Sequence, residues 1–245
     1  MLAEISVKAQ KDSAPQDSSA IQLHKFYLSI NFSPGYCYRT LTNNGMSPQQ
    51  YQWNKNISDT IDLPDFGFTA GMGIGYQLNH HFSFESGIFV SGNSLKTVEC
   101  MTYYSASPFP QGPITAGPTT FVQAKNYLHY YYLDVPFQAN CLLGKRKLQF
   151  IVSAGASLNF FLECKIKIVP YRPAGLQTLK FVSPYQNNAV NLSPFASLGI
   201  RWKFSEKIFL SAAPDFHYAL FGTAKSSIAM HLWSAGINFG MGFSL

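Results

Sequence analysis

The stretch YYYLDVPFQANCLLGKRKLQFIVSAGASLNFFL, residues 130–162, reads as two strands joined by a tight turn at Leu143-Gly144-Lys145-Arg146-Lys147. In the first strand Tyr131, Leu133, Val135, Phe137 and Ala139 share one face, and Tyr132, Asp134, Gln138 and Asn140 share the other. In the second, every even position from Leu148 to Leu162 is apolar, while Gln149, Ser153, Gly155, Ser157 and Asn159 line the opposite face. Side chains alternate across a strand, so the hairpin has one apolar wall and one largely polar wall. A half-buried sheet in water gives this pattern with the polar wall outside. A membrane barrel gives it with the polar wall inside. The length of the alternation decides between them. It exceeds the ~3–10 residues of ordinary globular strands and suits a tilted membrane strand of ~9–11 residues that continues past the bilayer.

Composition points the same way. Only 12% of the 245 residues are charged and 16% are aromatic, with 14 Tyr and 21 Phe; typical soluble domains carry roughly 25% charged residues. Mean hydropathy is near zero, as expected when lipid-facing and lumen-facing residues alternate, and no run reaches the ~18 apolar residues of a spanning helix. The formal charge of +6 raises the question of nucleic acid. The lysines and arginines are scattered over turns and loops, as at Lys165, Lys167 and Lys180, so nucleic acid is not expected and anionic lipid or lipopolysaccharide is the favoured contact. Four cysteines, Cys37, Cys100, Cys141 and Cys164, lack metal-ligand spacing. A disulfide between loop residues Cys100 and Cys164 is possible in an oxidising compartment. Met1-Leu2-Ala3-Glu4 has neither the basic nor the apolar part of a signal peptide, so the expectation takes the chain as a mature form.

Working outward, residues 1–24 read as a flexible polar leader and 25–245 as one barrel. Alternation places further strands at about 24–39, 66–78, 82–92, 192–204, 208–220 and 231–245, making eight with the hairpin. The connections alternate long and short. The expected fold is therefore an all-β, eight-stranded antiparallel up-and-down transmembrane β-barrel with short periplasmic turns, long extracellular loops and both termini periplasmic. Gly67, Gly71, Gly73 and Gly75 form a lane on the inner wall, with room for Tyr27, Tyr132, Phe161, Phe195 or Phe209 from other strands. GMGIGY lacks the lysine and following helix of a phosphate loop. Adjacent His80 and His81 in a turn point apart and have no carboxylate beside them, so no metal and no cofactor is expected.

The hairpin resembles the central hairpin of the PorT-like outer-membrane barrels of Bacteroidetes, through Tyr132-Leu133-Asp134-Val135-Pro136, Gly144-Lys145 and Gly155-Ala156-Ser157. The eight-strand layout extends the likeness over roughly residues 24–245. The resemblance implies a bacterial outer-membrane location and a link to the cell envelope, with type IX protein secretion as the role of the family's namesake.

An eight-stranded barrel is just wide enough for side chains to fill. Glu85, Asp134, Arg201, Lys203 and Asp215 fall on the inner wall, and charges there must pair. The expectation is a network centred on Arg201 with Glu85 or Asp134 that plugs the lumen. Function is then non-enzymatic, through the loops or as a subunit or accessory of an envelope complex. The alternatives are a narrow channel or a lipid- or small-molecule-binding barrel, and a lipid-modifying enzyme using His217, Asp215 and a nearby serine.

Overall fold

The computed structural model describes residues 26–104, 120–144, 147–171, 178–183, 187–205, 207–224 and 226–245; the leader expected over residues 1–24 lies outside them. Ten strands and one helix occur among the described residues: β1 (Phe26–Asn43), α1 (Pro48–Ile61), β2 (Asp62–Gln77), β3 (Phe82–Thr97), β4 (Cys100–Tyr104), β5 (Thr120–Leu143), β6 (Leu148–Pro170), β7 (Leu179–Val182), β8 (Val190–Lys203), β9 (Ile208–Tyr218) and β10 (Ile228–Ser244). All pairings are antiparallel. The expected count was eight. The two additional strands are short, and they pair with the far ends of β5 and β6.

The other eight strands each have a ladder on both sides. Tyr27 pairs with Gly75, Gly75 with Glu85, Glu85 with Gln138 and Gln138 with Gly155. Gly155 pairs with Phe195, Phe195 with His217, His217 with Ser234 and Ser234 with Cys37. The walk leaves β1 at residue 27 and returns to it at residue 37, ten positions further along. Successive strands are therefore staggered, and every residue on the walk belongs to the same face of the sheet.

The two faces differ sharply. On the face holding the walk, polar side chains are shielded: Ser29, Ser83, Ser91, Asp134, Asn140, Ser153, Ser157, Ser193 and Arg201 are all buried. On the other face apolar side chains are open, including Ile30 at 51%, Met72 at 68%, Phe150 at 62% and Leu198 at 63% exposure. The sheet curls around its polar face, because Tyr27 on β1 contacts Asn140 on β5 and Phe209 on β9, neither of them a ladder partner of β1.

The glycine lane works as the alternation implies. A Cβ on Gly75 would lie 2.0 Å from Tyr27 Cζ, and one on Gly242 would lie 2.0 Å from Phe209 Cζ. The far ends of the two rings occupy the space where a side chain would stand. Gly144 has a different role: its φ of 112° turns the chain from β5 to β6 in a region other residues avoid.

Residues 40–65, expected as a polar connection, contain the rest of β1, all of α1 and the start of β2. Ser47 caps α1 by accepting from Gln50 N–H, and Pro48 opens the first turn. Lys55 and Asp59 pair one turn apart. No residue of α1 is buried. The Tyr51 hydroxyl ties the helix to β1 by donating to the Leu41 carbonyl at 2.8 Å.

Candidate functional site

The enclosed polar face is the densest chemistry in the molecule, and it is built in layers. Nearest the short turns, Glu85 on β3 accepts from the Tyr27 hydroxyl at 2.9 Å, Ser29 Oγ at 2.5 Å and Asn31 Nδ2 at 3.4 Å. All three donors stand on β1, beyond the glycines of β2. Asn140 Nδ2 reaches the same tyrosine hydroxyl and Ser83 Oγ. Glu85 is thus held by neutral donors.

Arg201 enters this layer from β8, 3% exposed. Its guanidinium carbon lies 4.1 Å from the Phe209 ring centre and 5.7 Å from that of Tyr27. The expected ion pair with Glu85 or Asp134 is not formed: among the described residues Arg201 has no carboxylate within 4.0 Å. The acids are occupied by hydroxyls and amides, and the cation rests on ring faces, an attraction that strengthens as water is excluded. Among the described residues Arg201 Nε has no hydrogen-bond partner. A cavity of about 90 Å³ lies beside it, lined also by Glu85, Asp134, Asp215 and His217.

The next layer holds the remaining acids apart from one another. Asp134 accepts from Asn159 Nδ2 at 2.7 Å, and Asn159 Oδ1 in turn accepts from Ser193 Oγ at 2.6 Å. Asp215 Oδ2 accepts from Ser33 Oγ at 2.8 Å and lies 3.4 Å from His217 Nε2. The His217 ring stacks on Phe195 at 4.9 Å. The serine here donates to the carboxylate, and no serine is hydrogen-bonded to His217 among the described residues, so the arrangement an activated hydroxyl requires is not assembled. Lys203 is a correction. It is exposed at the last position of β8, and among the described residues it has no carboxylate within 4.0 Å.

Above the acids the interior becomes apolar. Leu95, Tyr130, Tyr132, Cys164, Ala219 and Leu232 pack together, with Phe161 and Met230 against them. Capping this layer, Arg39 Nε donates to Asp62 Oδ2 at 2.7 Å. Arg39 falls on the inward parity of β1, at the last position of the strand that the alternation predicts.

The four cysteines are free thiols. Cys100 pairs with Ala124 and Cys164 with Tyr130, on opposite sides of β5 and six residues apart along it. That is about 20 Å at ~3.3 Å per residue, whereas a disulfide needs Cα atoms within ~7 Å. The Cys100–Cys164 bridge that the sequence leaves possible is not formed in this fold.

No protein-family model matches the chain, and no curated protein matches it. Among solved structures it is similar to Neisserial surface protein A (NspA), at 12% identity over 90% of this chain and 97% of that one, with a TM-score of 0.47. It is similar to the outer membrane protease OmpT from Escherichia coli, at 6% identity over 90% and 97%, TM-score 0.42. It is similar to the outer membrane protein OprG from Pseudomonas aeruginosa, at 9% identity over 90% and 97%, TM-score 0.41. At these identities and scores the likeness says nothing of activity, and one of the three is itself a protease.

Proposed function

We propose that this chain is an integral outer-membrane protein in which β1, β2, β3, β5, β6, β8, β9 and β10 close into an eight-stranded barrel with a filled interior. The observation that carries this reading is the inverted burial of the sheet, with arginine, aspartate and asparagine shielded and a continuous belt of phenylalanine, leucine, isoleucine and methionine open. In water such a surface would drive aggregation, whereas in a bilayer it meets the acyl chains. The dimensions agree. A ten-residue stagger over eight strands corresponds to a strand tilt of about 40°. The open apolar run on β1 from Phe26 to Tyr36 is then about 33 Å long and about 25 Å tall, the height of a barrel's apolar band. Aromatic pairs mark both rims, Tyr38 with Trp233 at one and Trp202 with Phe204 at the other.

In this reading the short turns and both termini are periplasmic, and α1, β4 and β7 lie outside the cell. The barrel is non-enzymatic and acts through those outer segments, or as a subunit or accessory of an envelope complex. Type IX protein secretion is the complex that the PorT-like resemblance points to. Outer-membrane lipid and lipopolysaccharide are its surroundings. The test is electrophoresis of detergent-extracted protein with and without boiling, alongside circular dichroism. A heat-dependent shift with a β-rich spectrum is the expected result. Solubility without detergent and no shift would sink the proposal.

A further inference from the structure

The outer face of β6 changes character at one residue. Below Leu162 the buried side chains are odd-numbered, Ile151, Ser153 and Ser157; above it they are even-numbered, Cys164 and Ile168. The cause is a bulge: Tyr132 pairs with Phe161 and Tyr131 with Glu163, leaving Leu162 as the additional residue. The outward series Leu158, Phe160, Leu162 therefore continues as Glu163, Lys165, Lys167. A strand that has shown hydrocarbon to its surroundings begins, within one residue, to show charge.

Neighbouring strands complete the patch. Lys180 on β7 stands directly opposite Lys167. Tyr127 on β5 is opposite Lys167 and Tyr131 is opposite Glu163. The Lys167 ammonium lies 5.4 Å from the Tyr127 ring centre and that of Lys165 5.0 Å from the Tyr131 ring centre. Glu163 neutralises Lys165 at 2.6 Å. Among the described residues neither Lys167 nor Lys180 has a carboxylate within 4.0 Å. Like charges directly opposite on paired strands repel, and here the strands that carry them are held in register. The reverse face of the same strands is packed, with Val122, Ala124 and Ile168 buried against Ile166, Leu179 and Phe181. The fold thus presents an unneutralised lysine pair, on a rigid platform, immediately above an apolar wall.

A ligand complementary to this surface carries an anionic group over acyl chains. We propose that Lys165, Lys167 and Lys180, with Tyr127 and Tyr131, bind the phosphate of an acylated, phosphorylated glycolipid of the outer leaflet. This rests on the outer-membrane reading, which sets the platform at the headgroup level of that leaflet. The acyl chains lie along Leu158, Phe160 and Leu162, and the lysine stems reach from the strand to the phosphate while staying on the tyrosine rings. Basic side chains near a charged membrane surface each strengthen binding severalfold.

The test uses the full chain in detergent, checked first for the heat-dependent shift. Binding of bisphosphorylated lipid A, of the same lipid A with its phosphates removed, and of inorganic phosphate alone is measured by native mass spectrometry. The expected result is a preference of about tenfold or more for the phosphorylated lipid. Lys165→Gln/Lys167→Gln/Lys180→Gln loses that preference but keeps the heat shift, and Lys167→Gln alone lowers it. A triple control at the opposite rim, Lys147→Gln/Lys203→Gln/Lys207→Gln, leaves it unchanged. A heat-shifting wild type that binds both lipids equally overturns the site while leaving the barrel standing. So does a platform triple variant that binds like wild type, or inorganic phosphate that binds as well as the lipid. A wild type without the heat shift overturns the membrane reading itself.

Discussion

The Tyr27 hydroxyl on β1 donates to Glu85 on β3, 2.9 Å away, across a strand that contributes only backbone between them. The bond exists because Gly75 leaves the space in which the Tyr27 ring lies. Gly75→Ala should therefore act through Tyr27. The ring must leave its place, Glu85 loses its phenol donor, and stability falls by about 1–3 kcal/mol. Tyr27→Ala removes the obstruction, so the double variant should cost clearly less than the sum of the two single ones. Midpoints of thermal loss of the folded band give all three values, and strict additivity would contradict the packing described.

Two layers block the interior in series. Arg201 with Phe209 and Tyr27 fills the turn end, and Tyr130 and Tyr132 with Leu95 and Leu232 fill the loop end. Wild type should be silent in planar lipid bilayers. Arg201→Ala alone should also be silent, because the upper layer is intact. Combining Arg201→Ala with Tyr132→Ala should give measurable conductance. Porin-like conductance from wild type would refute the filled interior.

Arg39 is 4% exposed at its side chain and Asp62 is its carboxylate partner. Asp62→Ala leaves that cation enclosed and unpaired, at a cost of roughly 3 kcal/mol. Replacing both with apolar residues, Arg39→Met/Asp62→Leu, should restore most of the loss. Chemical or thermal unfolding in detergent measures the cycle.

His129 sits above the apolar band, with Nδ1 2.7 Å from Ser94 Oγ. Burial pushes its pKa below the ordinary histidine value, Asp65 opposes this, and the ammoniums of Lys167 and Lys165 add to the depression. The unfolded chain then holds the proton more tightly. Its contribution to stability is present above the ordinary histidine pKa of about 6.5 and is lost as pH falls through that value towards the folded pKa. In a histidine titration followed by nuclear magnetic resonance, Lys167→Gln should move the His129 midpoint upward. An unmoved midpoint would separate the two groups.

The alternation of β1, β2, β6 and β10 was legible because a period of two survives any composition, and the inward parity of Glu85, Asp134, Asp215 and Arg201 came with it. Parity fixes a face but not a height. It could not tell that Asp134 and Asp215 would find Asn159 and Ser33, or that Arg201 would settle on Phe209. Lys203 has the right parity and the wrong position, two residues beyond the enclosed Arg201 at the end of β8. Helix α1 buries nothing, and its apolar positions Trp53, Ile57 and Ile61, spaced four apart, are few among polar residues, so the segment reads as a polar connection. Its written signals are Ser47-Pro48 with Gln50 at the start and Lys55 four residues before Asp59. The bulge at Leu162 left no mark on the alternation, because Cys164, Ile166 and Ile168 continue the even-numbered apolar series; only the pairing with β5 shows that Glu163 turns outward.

The ladder between β1 and β10 joins Tyr27 to Ser244, nearly the full length of the described chain. Every other ladder of the circuit links segments much closer in sequence. In the proposed barrel β1 and β10 thus make the last seam, and in a bilayer, until they meet, both margins of the sheet would carry unpaired peptide groups that hydrocarbon cannot satisfy. On that proposal, insertion and completion of the ladder would be one cooperative event, slow because so long a loop has to be drawn shut. A chain shortened by either terminal strand would have no stable halfway form in lipid.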